Sequence, residues 1–140
     1  MDAKLKIAHL QMIQGVINRM AGNSFALKGW SVGIISALFA LATVQTTSEV
    51  KALLVALAYF PALAFWQLDG FFLRQERLFR HLYDDTRQKD DTTIDFSMDT
   101  SPFAKNEQSL FGVSLSSTLR MFHGMVVAVI SLVLGLVWLA

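Results

Sequence analysis

Residues 29–48, GWSVGIISALFALATVQTTS, run for 20 positions without an acidic, basic or histidine side chain. At about 1.5 Å per residue, a helix of that length reaches roughly 30 Å, the hydrocarbon thickness of a bilayer. Two more stretches repeat the pattern, ALLVALAYFPALAFWQL at 52–68 and GMVVAVISLVLGLVWLA at 124–140. One such run in a small protein can be a buried core helix. Three of them, with the charges crowded in between, read as a polytopic membrane protein.

Composition agrees. Apolar residues make up 54% of the 140-residue chain and charged residues 16%, against about 25% charged in ordinary globular domains. The first apolar run begins near residue 25, too far in and too long for a secretory signal peptide. The chain has no cysteine, which excludes disulfides, thiolate metal sites and cysteine catalysis. Charge placement sets an expected orientation. Lys4, Lys6, Arg19 and Lys28 precede the first span, and seven further basic residues lie between Asp69 and His123. Only Lys51 sits in the short 45–51 connection. In a bacterial inner membrane, the excess of Lys and Arg puts the N-terminus and residues 69–120 in the cytoplasm and the C-terminus outside.

The expected fold class is a mainly α membrane protein. It has three transmembrane helices, an N-terminal amphipathic helix at 1–24 and a small cytosolic β-containing insertion. Leu10, Ile13, Val16, Ile17 and Met20 recur at helical spacing over 3–22, which suits a helix on the membrane surface or packed under the bundle. Asn23-Ser24 supplies a break and a cap before the spans at 25–68. The first span lines up Gly29, Gly33, Ala37 and Ala40 on one face, with Ser36 nearby. That small-xxx-small pattern suits close helix packing or the wall of a pore. Gly124, Ala128, Ser131 and Gly135 make a second such face in the third span, 121–140.

Pro61 removes a backbone donor in the second span and predicts a kink. The segment then runs on as LDGFFLRQERLFRHLYDD, a helix that leaves the bilayer with Phe71, Leu78 and Leu82 as its apolar stripe. Residues 69–120 form the cytosolic extension and insertion. Between 84 and 108, seven acids face three bases, a local charge of −4. TIDFSMD at 93–99 alternates as a half-buried strand does, and Phe111, Val113 and Leu115 alternate again.

Residues for catalysis are sparse. His9, His81 and His123 are far apart, and each reads as a helix-surface or interfacial residue. His81 with Asp84 and Asp85 is a weak metal candidate, and a solvated helix end explains it better. The Asp69-Gly70…Arg74 fragment carries only part of the phospholipid head-group transferase signature. No phosphate loop, nucleophile elbow or zinc motif is present, so neither enzyme, cofactor nor metal is expected. The uncharged spans argue against an ion-coupled carrier and fit a channel with a hydrophobic gate, assembled from several copies. Arg74, Arg77, Arg80, Arg87, Lys89 and Lys105 suit anionic lipid. Alternatively, with Tyr83 to stack a base, they form a phosphate-binding rim for a nucleotide or oligonucleotide.

Three blocks carry a family likeness: RMAGNSFALKGW at 19–30, WQLDGFFLRQERLFRHLYDD at 66–85 and SSTLRMFHG at 116–124. They are similar to short bacterial membrane proteins, some encoded beside nucleotidyltransferase-like enzymes in anti-phage loci. The resemblance is to the membrane effectors of Hailong-type defence systems. It implies a tetrameric ion channel held shut by a single-stranded oligodeoxyadenylate that a nucleotidyltransferase partner makes. Ligand loss would then open the pore and depolarise the cell. A holin-like pore without a ligand and a non-conducting membrane scaffold are the alternatives.

Overall fold

The computed structural model describes residues 3–139; Met1, Asp2 and Ala140, the last position of the third expected span, lie outside it. Five α-helices follow in order: α1 Ala3–Thr43, α2 Ser48–Leu57, α3 Tyr59–Gln88, α4 Leu110–Ser114 and α5 Ser117–Leu139. A single 3₁₀ turn occupies Ser101–Phe103. Three segments are long and apolar enough to cross a membrane: α1, α2 with α3, and α5. The chain thus has the make-up of a three-span membrane protein.

The amphipathic N-terminal segment is no separate helix. α1 passes through Asn23 and Ser24 without interruption for 41 residues. Ser24 does not cap a helix because its hydroxyl bonds Asp69 of α3 instead. The helical cost of Gly22 and Asn23, about 1 kcal/mol or less each, is small beside the packing that α3 supplies. The apolar stripe itself is where periodicity put it. Ile13 and Ile17 are buried against Leu82 of α3, with Phe79, Tyr83 and Phe103 around them. The stripe therefore packs on a neighbouring helix.

Pro61 acts as expected. α2 stops at Leu57, Ala58 makes the turn, and Pro61 lies in the first turn of α3. With no proline N–H, the Leu57 carbonyl loses its partner four residues on. Beyond the bend α3 is unbroken for 30 residues, roughly 45 Å. Ile35 and Ala42 of α1, Val55 and Ala58 at the bend, Ala62 of α3 and Ile130 of α5 form one buried cluster. Above it the Tyr59 hydroxyl meets Ser131 Oγ at 2.6 Å.

The expected β structure is absent: the described residues contain no strand. Side chains satisfy the 93–99 backbone locally in place of a ladder. The Ser97 N–H bonds Asp95 Oδ1 at 3.0 Å, the Asp99 N–H bonds Ser97 Oγ at 3.1 Å, and the Ser101 N–H bonds Asp99 Oδ1 at 2.9 Å. Phe96 has a positive φ of 55°, which breaks the pleat in mid-segment. Of the three residues expected on the buried face, only Ile94 is buried; Phe96 and Met98 are exposed. The second expected strand, at 111–115, is mostly helix α4. Ser109 caps it by accepting from the Gly112 N–H at 3.2 Å.

Candidate functional site

Asp69 is completely buried where α1, α3 and α5 meet, and its partners come from the other two helices. Lys28 Nζ lies 2.6 Å from Asp69 Oδ2, and His123 Nε2 lies 2.8 Å from the same oxygen. The Ser24 hydroxyl donates to the other oxygen, Oδ1. Ser24 and Lys28 sit one turn apart on α1, and the Lys28 ammonium donates back to Ser24 Oγ at 3.0 Å. Each span thus supplies at least one member of a closed polar network.

An aromatic wall shields it. Trp66, nearly one turn before Asp69 on α3, stacks on the His123 ring at 5.5 Å with 11° between planes. The Lys28 ammonium lies 5.8 Å above the Phe122 ring. Trp66 Nε1 donates to the Ser114 carbonyl at 2.7 Å, which ties α4 to the same corner. Gly70 makes that approach possible: a Cβ there would sit 2.1 Å from Ser114 Oγ and 3.2 Å from its Cα. The carboxylate, ammonium, hydroxyl and imidazole satisfy one another in low-dielectric surroundings, where such bonds are strong. The Ser24 hydroxyl bonds the carboxylate rather than the imidazole. Two atoms beside the network lack partners: His123 Nδ1 and Ser31 Oγ are buried without a hydrogen bond.

The charged end of the molecule is built differently. The connection after α3 lies over α1 and α3, fastened by Lys6 to Asp91 at 3.3 Å and by His9 Nε2 to the Ser97 carbonyl at 3.2 Å. Phe96 packs 5.3 Å from the His9 ring. Between these elements lies a cavity of about 350 Å³, lined by His9, Asp85, Lys89, Asp95, Asp99 and Phe103 among others. Burial opposes ionisation of Glu107, but the Gln108 N–H, His81 and Arg77 outweigh it and hold its carboxyl below the ordinary range. The Ser97 N–H lowers Asp95, and the Ser101 hydroxyl lowers Asp99. Hydrogen bonding to Asp85 raises Lys89.

Most of the basic residues expected to bind phosphate are engaged within the protomer. Arg74 donates to the Gln108 carbonyl at 2.9 Å, Arg77 reaches Glu107 at 3.4 Å, and Arg80 pairs with Glu76 at 2.7 Å. Arg87 pairs with Asp84 at 3.3 Å and Lys89 with Asp85 at 2.6 Å. Tyr83 packs beside Ile13, Ile17 and Leu82. Lys105 makes no ion pair among the described residues, and of the whole set only Lys89 lines the cavity. His81 turns to Glu107 at 3.2 Å rather than to Asp84 or Asp85. No group of three potential metal ligands occurs among the described residues.

The small-residue faces are mostly unoccupied within the protomer, with Ser131, bonded to Tyr59, as the exception. Nothing lies within 4 Å of a Cβ built on Gly29, Gly33, Gly124 or Gly135. Gly29, Gly33, Ser36, Ala37 and Ala40 are exposed, as are Ala128 and Gly135. Sequence reasoning missed the Ser24–Lys28–Asp69–His123 network. Its one signal was position, since Lys28, Asp69 and His123 each border an uncharged run. No protein-family model, curated protein or solved structure matches the chain.

Proposed function

We propose that this chain is the subunit of an oligomeric ion channel in the bacterial inner membrane, regulated from its charged, cytoplasmic end. The carrying observation is continuity: α1 runs without a break from an apolar span into the charged end, and α3 does so from the later half of the second span. Rigid helices of that length transmit a displacement at one end to the other. The unoccupied Gly29–Gly33–Ala37 face offers a neighbouring copy a close approach, which is how small residues act in lipid.

A ligand at the charged end that binds the closed arrangement better than the open one holds the pore shut. Its loss opens the pore and depolarises the cell, the action of an anti-phage effector. The defence role, the tetramer and an oligonucleotide ligand from a nucleotidyltransferase rest on the resemblance of the three sequence blocks. A polyanion would have to draw the basic side chains away from Glu76, Asp84, Asp85 and Glu107.

The test is membrane potential, read by a ratiometric dye, in bacteria expressing this chain without a partner gene. Rapid depolarisation before lysis is expected. An unchanged potential, with the protein recovered in the membrane fraction, contradicts a pore kept closed by a ligand.

A further inference from the structure

We propose that the Ser24–Lys28–Asp69–His123 network is a two-state lock: charge-paired when the three spans are packed, hydrated when they part. As the control element of the gate it rests on the channel reading; as a lock between helices it stands alone.

Asp69 is the only fully buried acidic residue among those described. The rest of the bundle is held by apolar contacts around Ile35, Ala42, Val55 and Ile130. Such contacts discriminate weakly in a bilayer, because lipid tails are as apolar as the side chains they replace. Burying a charge discriminates strongly. Parted into lipid, Lys28 and Asp69 would be costly, whereas parted into water each regains its hydration. Lys28 borders its span and its side chain is 22% exposed, so it lies where the lock can open toward the interface.

The packed and hydrated states lie near balance for two reasons. The attraction within a buried ion pair is largely offset by the desolvation of both ions. Packing also leaves His123 Nδ1 without a partner, and hydration would satisfy it. A near-balanced contact is one that a modest bias can switch. The levers to apply that bias are in place. Ile13 lies 15 residues before Lys28 on α1 and packs on Leu82, which lies 13 residues past Asp69 on α3. A shift of one helix on the other at the charged end therefore reaches the lock about 20 Å away.

The chain lacks cysteine, so a single reporter thiol is clean. Ser31→Cys places it in a fully buried position on α1, next to the lock in the helix but outside its bonds. The measurement is its rate of reaction with a hydrophilic maleimide in membranes. With the lock intact, the thiol should react slowly, at a rate set by the fraction of time the spans are parted. Asp69→Asn strands the Lys28 charge and should raise the rate at least about tenfold. Adding Lys28→Met to Asp69→Asn removes both members of the ion pair and should return the rate to within about threefold of the original.

Protection unchanged in Asp69→Asn overturns the lock. So does a double variant as reactive as Asp69→Asn alone, because the loss is then one of folding rather than of charge balance. Membrane potential measured in the same cells separates the two claims. Labelling that follows this pattern with no change in potential supports the lock and overturns the channel.

Discussion

Asp69 and Asp84 are both aspartates on α3 with a basic partner, yet their surroundings differ completely. Asp69 has no exposed side-chain surface and meets Lys28 at 2.6 Å; Asp84 is 59% exposed and meets Arg87 at 3.3 Å. Around Asp69, two other helices contribute donors to one carboxylate. Around Asp84, the partner lies three residues along the same helix. An exposed pair of that kind contributes little, because water screens it and two long side chains must be ordered. A buried one is costly to break from one side, because a charge is left without compensation. The lesson concerns where charge carries information. The charged end holds most of the charges, but the arrangement of the spans depends on a few at their border.

The largest expected effect is therefore at Asp69. Asp69→Ala should cost about 3–5 kcal/mol in thermal unfolding in detergent. A cost like that of a surface pair would erase the contrast. Ile13→Ala, at a fully buried position of the charged end, should cost about 2–4 kcal/mol in the same assay. It tests whether apolar packing, not charge, joins α1 to α3 there. Gly70→Ala should follow at about 1–3 kcal/mol, since the added methyl meets Ser114. Ser114→Gly in the same chain should recover part of that loss, which marks the clash as its source.

Smaller effects belong to the exposed charges. The folded state holds Glu107 below its ordinary value of 4.5, so its contribution is present above about pH 4.5. That contribution is lost as pH falls through the lowered value. Amide protection factors over residues 104–109 should fall in that acid range, and Glu107→Gln should flatten the dependence. The smallest effect is expected for Arg87→Ala, within about 0.5 kcal/mol. A larger one would give the charged end the same energetic character as the lock.

Much of the helical architecture was legible from hydropathy alone. Long uncharged runs admit few alternatives, and Pro61 marks the interruption between α2 and α3 by removing a helical donor. The β insertion was misread because alternation at 93–99 reports side-chain order, not pairing. Asp95, Ser97 and Asp99 satisfy the backbone themselves, and no second strand is present among the described residues to complete a ladder. The break at Asn23-Ser24 failed for a related reason: a serine looks like a cap until a partner on another helix takes its hydroxyl.

Most of the basic cluster is already engaged by partners of its own. Glu76 and Arg80, Asp84 and Arg87, and Asp85 and Lys89 stand at pairing distance along one helix, so their neutralisation was readable. The lock was not. Lys28, Asp69 and His123 lie 41 and 54 residues apart in sequence, and only the packing of three spans brings them together.

Current through a planar bilayer carrying only this purified chain tests the central claim most directly. A channel gives discrete, repeatable conductance steps that depend on protein concentration, and Asp69→Asn raises the fraction of time spent open. A silent bilayer, with insertion of the protein verified, would contradict a pore formed by this chain.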